Sequence, residues 1–416
     1  MSGSDRPPSM KIAIVIESFD PHAGGLERST AQIAQELADR GHAVTLLAGG
    51  CGDTHCLPGV TIVAMAKRKR SSAFRLFRFN RWAQLQIADG GFDVSLSMTT
   101  AVPAAVLQPR GGTVRETLDR NIAMRRTNWA RVAKRVGVLL NPKQQLLLYF
   151  ERRAFKNDGL VKVAAVSRYV IEQLERHYDL PSGKVELIPN AAVMPKIDAD
   201  KRAQWRKRIR DSFNIPDDVT VFLFAAINPR LKGFEPLMQA TALIKERGVP
   251  AVVLLAGDFW HRHNQYATQL GVRDRVRFIR HTKRIEALYA AADVTVHPTF
   301  YDPASKVVIE SLMMGVPAIS TAYNGASDLI APGLGEGTGG DGGAPLRGRV
   351  IQDPADALAL ADAMQDLADA GVRQKCSEAA AGLDGVLSMG AHVDLLEGLL
   401  RESSRINSPN PVSETR

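Results

Sequence analysis

Asp302 and Glu310, with seven residues between them, flank a turn at 303–305 and an apolar helical run at 307–314. Pro303 suits the first turn of a helix and Asp302 its N-cap. The amide groups freed at such a helix start favour an anion, and the second carboxylate follows about two helical turns further along. The segment 297–330 therefore has the means to hold a phosphate and to hydrogen-bond sugar hydroxyls. Arg230 and Lys232 lie just beyond another apolar run, 219–225. Neighbouring strand ends in a parallel sheet share one crevice, so two cations and two carboxylates can meet there. The cations suit a diphosphate and the carboxylates suit hydroxyls. Taken singly, the cations read as a solvated loop and Glu310 as a helix-surface charge; together, at matching strand ends, they read as a site.

Positioning such groups requires parallel sheets. Residues 11–17 form a short β-branched apolar run, followed by Gly24-Gly25, an amphipathic helix at 29–40 and a second apolar run at 43–48. Strand, glycine turn, helix and strand make a βαβ unit, the opening of a doubly wound sheet. The glycine pair reads either as a tight turn or as a place where backbone comes close to a phosphate or an acceptor. The spacing G-x-G-x-x-G is absent, which argues against a nicotinamide site. Further strands are predicted at 60–64, 92–97, 161–166 and 185–188, and helices at 120–135, 144–155 and 168–178. The polar loop 107–116, carrying Arg110 and Glu116, falls at a strand end. The alternation restarts with strands at 219–225, 251–256, 276–279, 294–297 and 317–320, then a glycine-rich loop at 333–343 and closing helices. This is an α/β fold with a first domain at 10–192, a linker and helix at 193–217, and a second domain at 218–388. A helix at 389–405 is expected to pack back on the first domain, and tails 1–9 and 408–416 to be disordered.

At 416 residues, 45% hydrophobic and 23% charged, the chain has the composition of a globular protein with two proper cores. Three cysteines are too few for a disulfide framework and suggest a reducing compartment. Cys51, His55 and Cys56 lack a second ligand cluster, so no metal is expected. The N-terminus has no signal-peptide core, and no run approaches the ~18 apolar residues of a membrane span. Residues 1–190 hold 27 Lys/Arg against 17 Asp/Glu, whereas the rest holds 26 against 27. That asymmetry points to an anionic partner for the first half: lipid headgroups, an anionic glycan or nucleic acid. No nucleic-acid motif accompanies it. In 67–85 seven cations interleave with Phe74, Leu76, Phe77, Phe79 and Trp82. This reads equally as a membrane-surface helix, with peripheral contact through 67–82, or as a solvated helix whose aromatics pack inward.

Gly24-Gly25-Leu26-Glu27-Arg28, Val166-Ser167, Leu187-Ile188-Pro189-Asn190, Arg230-x-Lys232-Gly233 and the 297–330 segment together resemble the family-four retaining glycosyltransferases. The resemblance spans nearly the whole chain. It implies the GT-B fold, two Rossmann-like doubly wound domains facing each other across a cleft. The chain is most similar to the lipopolysaccharide core glucosyltransferase branch, where the same segment follows His-Pro and the first domain carries a Gly-Gly-Leu-x-Arg loop. Glu310 would then bind a nucleotide's ribose, and Asp302 the donor sugar. The backbone N–H groups of Ser305, Lys306 and Val307 would cradle the diphosphate, and Arg230 and Lys232 would neutralise it as it leaves, with no metal or other cofactor. Gly24 and Gly25 would approach donor phosphate and acceptor, a glycan or glycolipid. The implied chemistry is front-face transfer with retention through an oxocarbenium-like transition state.

Two departures stand out. Asp302 replaces the glutamate of most relatives. The loop Gln108-Pro109-Arg110-Gly111-Gly112-Thr113 lacks the His or Asp many relatives place near the transferred sugar, leaving Glu116 as its substitute. The expected location is the cytoplasm, on the inner face of the membrane. The rival reading is a catalytically silent nucleotide-sugar-binding or scaffold protein; the presence of both Arg230 and Lys232 favours an enzyme.

Overall fold

A computed structural model describes residues 8–20, 24–51, 57–66, 71–125, 127–279, 282, 284–332 and 345–407. Most of both expected tails, the His55 and Cys56 end of the metal reading, the cations 67–70 and the glycine-rich loop 333–343 lie outside the described residues. The chain divides into two compact units, Met1–Pro189 with Met389–Arg416, and Asn190–Ser388.

In the first unit, β1 (Lys11–Ile16), β2 (Ala43–Ala48), β3 (Val60–Ala64), β4 (Val94–Ser97), β5 (Val106–Leu107), β6 (Lys162–Ala165) and β7 (Val185–Leu187) form one parallel sheet. Its order is β3-β2-β1-β4-β5-β6-β7. Ile12–Ile16 is buried throughout, as an apolar strand covered on both faces must be. Two-residue β5 is too short to carry a pattern. The helix after β1 runs Gly25–Asp39, so it starts four residues earlier than its apolar periodicity suggests. The basic stretch expected as one helix at 120–135 is two, Val114–Ala123, capped at Met124, and Asn128–Leu139, whose N-cap Thr127 accepts Ala130 N–H (3.4 Å).

Helix Met389–Asn407 belongs to this unit. Arg40 bridges Asp394 (2.6 Å) and Glu397 (3.0 Å), and Glu397 also binds Arg401 (2.6 Å). The end of the expected N-terminal tail is ordered: the Ser9 hydroxyl donates to the Gly41 carbonyl (2.7 Å), and Arg401 to that of Pro8 (2.8 Å).

The second unit holds β8 (Thr220–Ala226), β9 (Ala251–Gly257), β10 (Val276–Ile279), β11 (Val294–His297), β12 (Ala318–Thr321) and β13 (Gly348–Ile351), all parallel, in the order β10-β9-β8-β11-β12-β13. β13 was not foreseen from sequence. Its first residue sits where a Cβ would come within 1.8 Å of the Ala318 carbonyl oxygen, so glycine is required, and the Arg-Gly-Arg sequence hides the strand. Residues 193–217 are no linker. Ile197, Ile209, Phe213 and Ile215 pack into this unit's core. Arg206 and Arg210 of helix Ala199–Ser212 each bond Asp293 (2.8 Å), which also accepts from Val221 N–H (2.7 Å). Three donors on one carboxylate fasten the helix to the amino ends of β8 and β11, away from their carboxyl ends.

Candidate functional site

The loop after β8 and the segment after β11 are built against each other. Asn228 folds the loop by accepting Leu231 N–H on its side chain (3.3 Å) and Lys232 N–H on its carbonyl (3.1 Å). Leu231 then accepts Phe300 N–H (2.9 Å) and the Thr299 hydroxyl (3.2 Å). Gly233 makes the approach possible: its φ is +86°, and a Cβ there would lie 2.0 Å from the Pro298 carbonyl oxygen. Lys232 is thereby delivered to Asp302, with Nζ 2.6 Å from Oδ2 and 3.2 Å from the Tyr301 carbonyl. Arg230, on the same turn, is exposed; its carbonyl accepts Gly233 N–H (3.3 Å), and its guanidinium makes no hydrogen bond or ion pair with the described residues.

Asp302 is not the helix cap that its position before Pro303 suggests. Its Oδ2 is taken by Lys232 and faces His297 Nε2 (3.4 Å), its Oδ1 accepts Ala304 N–H (3.3 Å), and the N-cap is Ser305, with the helix running Lys306–Met313. Burial would raise this carboxyl's pKa, but the Lys232 ammonium and His297 outweigh it and hold the group well below the usual carboxylate range. His297 is fully buried, and burial lowers its pKa, so the ring is neutral at neutral pH.

Asn324 is the second organiser. Its Oδ1 accepts Ser305 N–H (3.1 Å) and Ala326 N–H (3.0 Å), while its Nδ2 donates to Ser320 Oγ (2.8 Å). Ser305 N–H is therefore engaged inside the fold, a correction to the expected three-amide cradle. The first turn of Lys306–Met313, at Val307 and Val308, keeps amides without an intrahelical acceptor. Asn190 pins the turn from the other side, donating to the Ala304 carbonyl (2.7 Å). Glu310 lies one turn along the helix, half-buried, and its Oε2 accepts from Tyr289 OH (2.9 Å), which also reaches the Val307 carbonyl (3.2 Å). Burial and the neighbouring Glu310 push the Tyr289 phenol up, so it stays a donor.

Arg230, Lys232, Asp302, Ser305, Lys306, Val307 and Glu310 thus gather at the carboxyl ends of β8 and β11. Sequence reasoning missed His297, Tyr289 and Asn324. Their only signals were the His-Pro at the strand end, a tyrosine in an apolar helix and an Asn-Gly turn.

The first-unit candidates fare differently. Gly24 has extended backbone (φ −160°) and caps helix Gly25–Asp39; a Cβ on it would meet only the flexible end of Glu27, and one on Gly25 would meet nothing within 4 Å. Among the described residues, no backbone contact demands glycine at either position. Arg110 donates to Gln108 Oε1 (3.0 Å) and faces His392 Nε2 (3.4 Å); burial lowers its pKa to about 10, leaving it charged at neutral pH. Glu116 is a correction. It is 1% exposed and accepts from Tyr169 OH (2.9 Å), Arg120 (2.6 Å), Arg176 (3.2 Å) and His177 (2.8 Å). Four donors saturate a carboxylate, so Glu116 holds two helices together rather than meeting a ligand.

Two parallel-sheet α/β units, with cations and carboxylates at the strand ends of the second, make up a GT-B-type glycosyltransferase. Residues 23–192 match the family model described as Glycosyltransferase Family 4, and residues 206–382 that of Glycosyl transferases group 1. The chain belongs to the family-four glycosyltransferases. It is 23% identical over 327 residues to the lipopolysaccharide glucosyltransferase WaaG of Escherichia coli K12, covering 77% of this chain and 83% of that protein. The crystal structure of WaaG superposes with a TM-score of 0.73 at 19% identity, over 94% of this chain and 99% of that one. HepE of Anabaena in complex with UDP-glucose gives 0.64 at 16% identity, over 94% and 100%.

Among the described residues no helix is long and apolar enough to cross a membrane. In helix Ser72–Asp89, within the stretch expected at a membrane surface, Leu76 and Phe79 pack inward while Phe74 and Phe77 are exposed. A more exposed apolar face lies on helix Asn128–Leu139, where Trp129, Val132, Val136 and Leu139, with Leu140 just beyond, are uncovered.

Proposed function

We propose that this protein is a retaining, metal-independent glycosyltransferase. It moves a hexose from a nucleotide-diphosphate sugar, UDP-linked in preference to GDP-linked, to a glycan or glycolipid of the lipopolysaccharide core or another cell-envelope polysaccharide. The observation that carries this is the Lys232 ammonium held 2.6 Å from Asp302 beside the start of helix Lys306–Met313. An ammonium has three donors, and two are used by Asp302 and Tyr301, which leaves one for a phosphate oxygen. Arg230, exposed on the same turn, supplies a second charge.

In this reading the anomeric carbon–oxygen bond to the diphosphate lengthens as Lys232, Arg230 and the helix-start amides take up the developing charge. The acceptor hydroxyl attacks from the same face, and its proton passes to the departing phosphate oxygen. Asp302 positions Lys232 and keeps a lone pair for a sugar hydroxyl, while Glu310, steadied by Tyr289, binds the ribose. Fixed protein charge then does what a divalent ion does elsewhere. The UDP-glucose complex of HepE and the activity named for WaaG support the UDP-hexose and lipopolysaccharide assignments.

Peripheral contact with the cytoplasmic face of an anionic membrane is part of the proposal, centred on helix Asn128–Leu139. Trp129, Val132, Val136 and Leu139 share one face at helical spacing, and Arg131, Lys134 and Arg135 interleave with them. Co-sedimentation with anionic liposomes at low salt, lost in Trp129→Ser/Leu139→Ser, is expected; unchanged sedimentation of the variant would remove this helix from the account.

The function is tested by incubating the protein with UDP-glucose and a truncated-core lipopolysaccharide in EDTA, following UDP release and the product's anomeric proton by NMR. An α-linked product is expected. Binding without UDP release from any UDP- or GDP-sugar would favour the silent scaffold.

A further inference from the structure

The two loop residues offered by the sequence for the acceptor side are engaged within the fold: Glu116 is saturated and Arg110 turns toward Gln108 and His392. We propose that Glu17 is an acceptor-binding residue, its carboxylate taking hydrogen bonds from hydroxyls of the incoming glycan at the carboxyl ends of β1 and β4. This rests on the transferase reading and assigns a first-unit residue to it.

The strand order of the seven-stranded sheet reverses between β1 and β4. Ligands of open α/β sheets bind outside the strand ends at such a switch point. Glu17 is the first residue beyond β1, and Thr99 lies two beyond β4. The helix following β1 starts at Gly24-Gly25, and among the described residues nothing lies within 4 Å of where a Cβ on Gly25 would sit. The strand end, its neighbour and the helix start thus frame one mouth.

Glu17 is rigidly placed there. Gly49 N–H bonds the Ile16 carbonyl (3.0 Å), Phe19 N–H bonds Gly50 (2.8 Å) and Met98 N–H bonds Val15 (2.9 Å), so the backbone is fastened from both neighbouring strands. Gly49 lies so close that a Cβ would come within 2.6 Å of the Glu17 carbonyl oxygen. A carboxylate on such a frame suits a binding site.

Its side chain is also under-satisfied. Glu17 is half-buried, and among the described residues its one hydrogen bond is the donation from Thr99 Oγ1 at 3.4 Å. Glu116 and Glu151, the buried carboxylates of the same unit, each accept from four donors. A carboxylate offers about four lone-pair sites, so Glu17 keeps most of its accepting capacity for something outside the fold. Burial raises its pKa above the ordinary value, and the Lys143 charge and the Thr99 hydroxyl work against that. Sugar hydroxyls would complete what those two begin, by hydrogen-bonding the charged form.

The test uses the full chain with Glu17→Gln, which keeps size and shape, and Glu17→Asp, which keeps the charge. Initial rates of transfer from UDP-glucose to truncated-core lipopolysaccharide give KM for each substrate, and calorimetry gives UDP affinity. Glu17→Gln is expected to raise the acceptor KM about tenfold, with UDP affinity and donor KM within about twofold of wild type, and Glu17→Asp to recover part of the loss. An acceptor KM within about twofold of wild type in Glu17→Gln would overturn the assignment alone, as would a parallel loss of donor and acceptor binding. A wild-type protein that turns over no UDP- or GDP-sugar would overturn the transferase reading and this assignment with it.

Discussion

At the carboxyl ends of the six-stranded sheet, the functional groups hold one another: Lys232 on Asp302, Asp302 facing His297, Tyr289 on Glu310, Asn324 on Ser305. At the corresponding end of the seven-stranded sheet, no described residue lies within 4 Å of where a Cβ on Gly25 would sit, and Glu17 has one long side-chain hydrogen bond among the described residues. The first arrangement is preorganised charge, suited to a diphosphate whose charge grows as the reaction proceeds. The second is an uncommitted surface, suited to hydroxyls that arrive with their own donors and acceptors. The polar groups of the first unit that are fully committed, Glu116 and Glu151, serve the fold.

That contrast can be broken at several points. The largest expected effect is from Lys232→Ala, a loss in kcat of about 100- to 1000-fold with the fold retained, read by UDP release and circular dichroism. Near-normal turnover would make the ion pair with Asp302 merely structural. Glu116→Gln should do the reverse. Leaving Arg120, Arg176 and His177 around a neutral amide costs about 3 kcal/mol of stability, while kcat per folded molecule is kept.

The same network gives a pH signature. Burial would raise the Glu116 carboxyl, but His177 and Arg120 hold it below its ordinary value of 4.5. Its stabilisation is therefore complete above that value and lost as the pH falls through the lower folded pKa. The difference in Tm between wild type and Glu116→Gln should shrink on acidification below about 4.5.

Tyr289→Phe removes one hydrogen bond from Glu310 and should weaken UDP binding by about 1 kcal/mol, roughly fivefold, in a calorimetric titration. The smallest effect is from Gly25→Ala. With helical backbone and no clash among the described residues, it should raise stability by about 0.5 kcal/mol in a denaturant titration while lowering transfer. Unchanged transfer would leave the open glycine without a ligand.

The sequence announces most of the second unit's site because chemistry and element boundaries coincide there. Arg230, Lys232, Asp302 and Glu310 all follow apolar runs that become β8 and β11. What it conceals is who holds whom. Asp302 before Pro303 has the local form of an N-cap, and only the tertiary approach of Lys232 redirects it. Glu116 looked like a site residue by its place after a glycine loop; its partners Tyr169, Arg176 and His177 come from a helix more than fifty positions away. β5 and β13 were lost because two residues carry no period and because Gly348 is dictated by backbone contact with Ala318. The supposed linker proved to be core because its apolar residues are sparse among Lys and Arg, which hides their inward face.

The central claim is that the carboxyl end of the six-stranded sheet is a metal-free site for a nucleotide diphosphate. Calorimetric titration of UDP into the wild type and Glu310→Ala, both in EDTA, tests it most directly. The account predicts saturable one-to-one binding by the wild type, weakened about tenfold or more when Glu310 is removed. UDP binding that appears only after a divalent cation is added, or that is indifferent to Glu310, would contradict it.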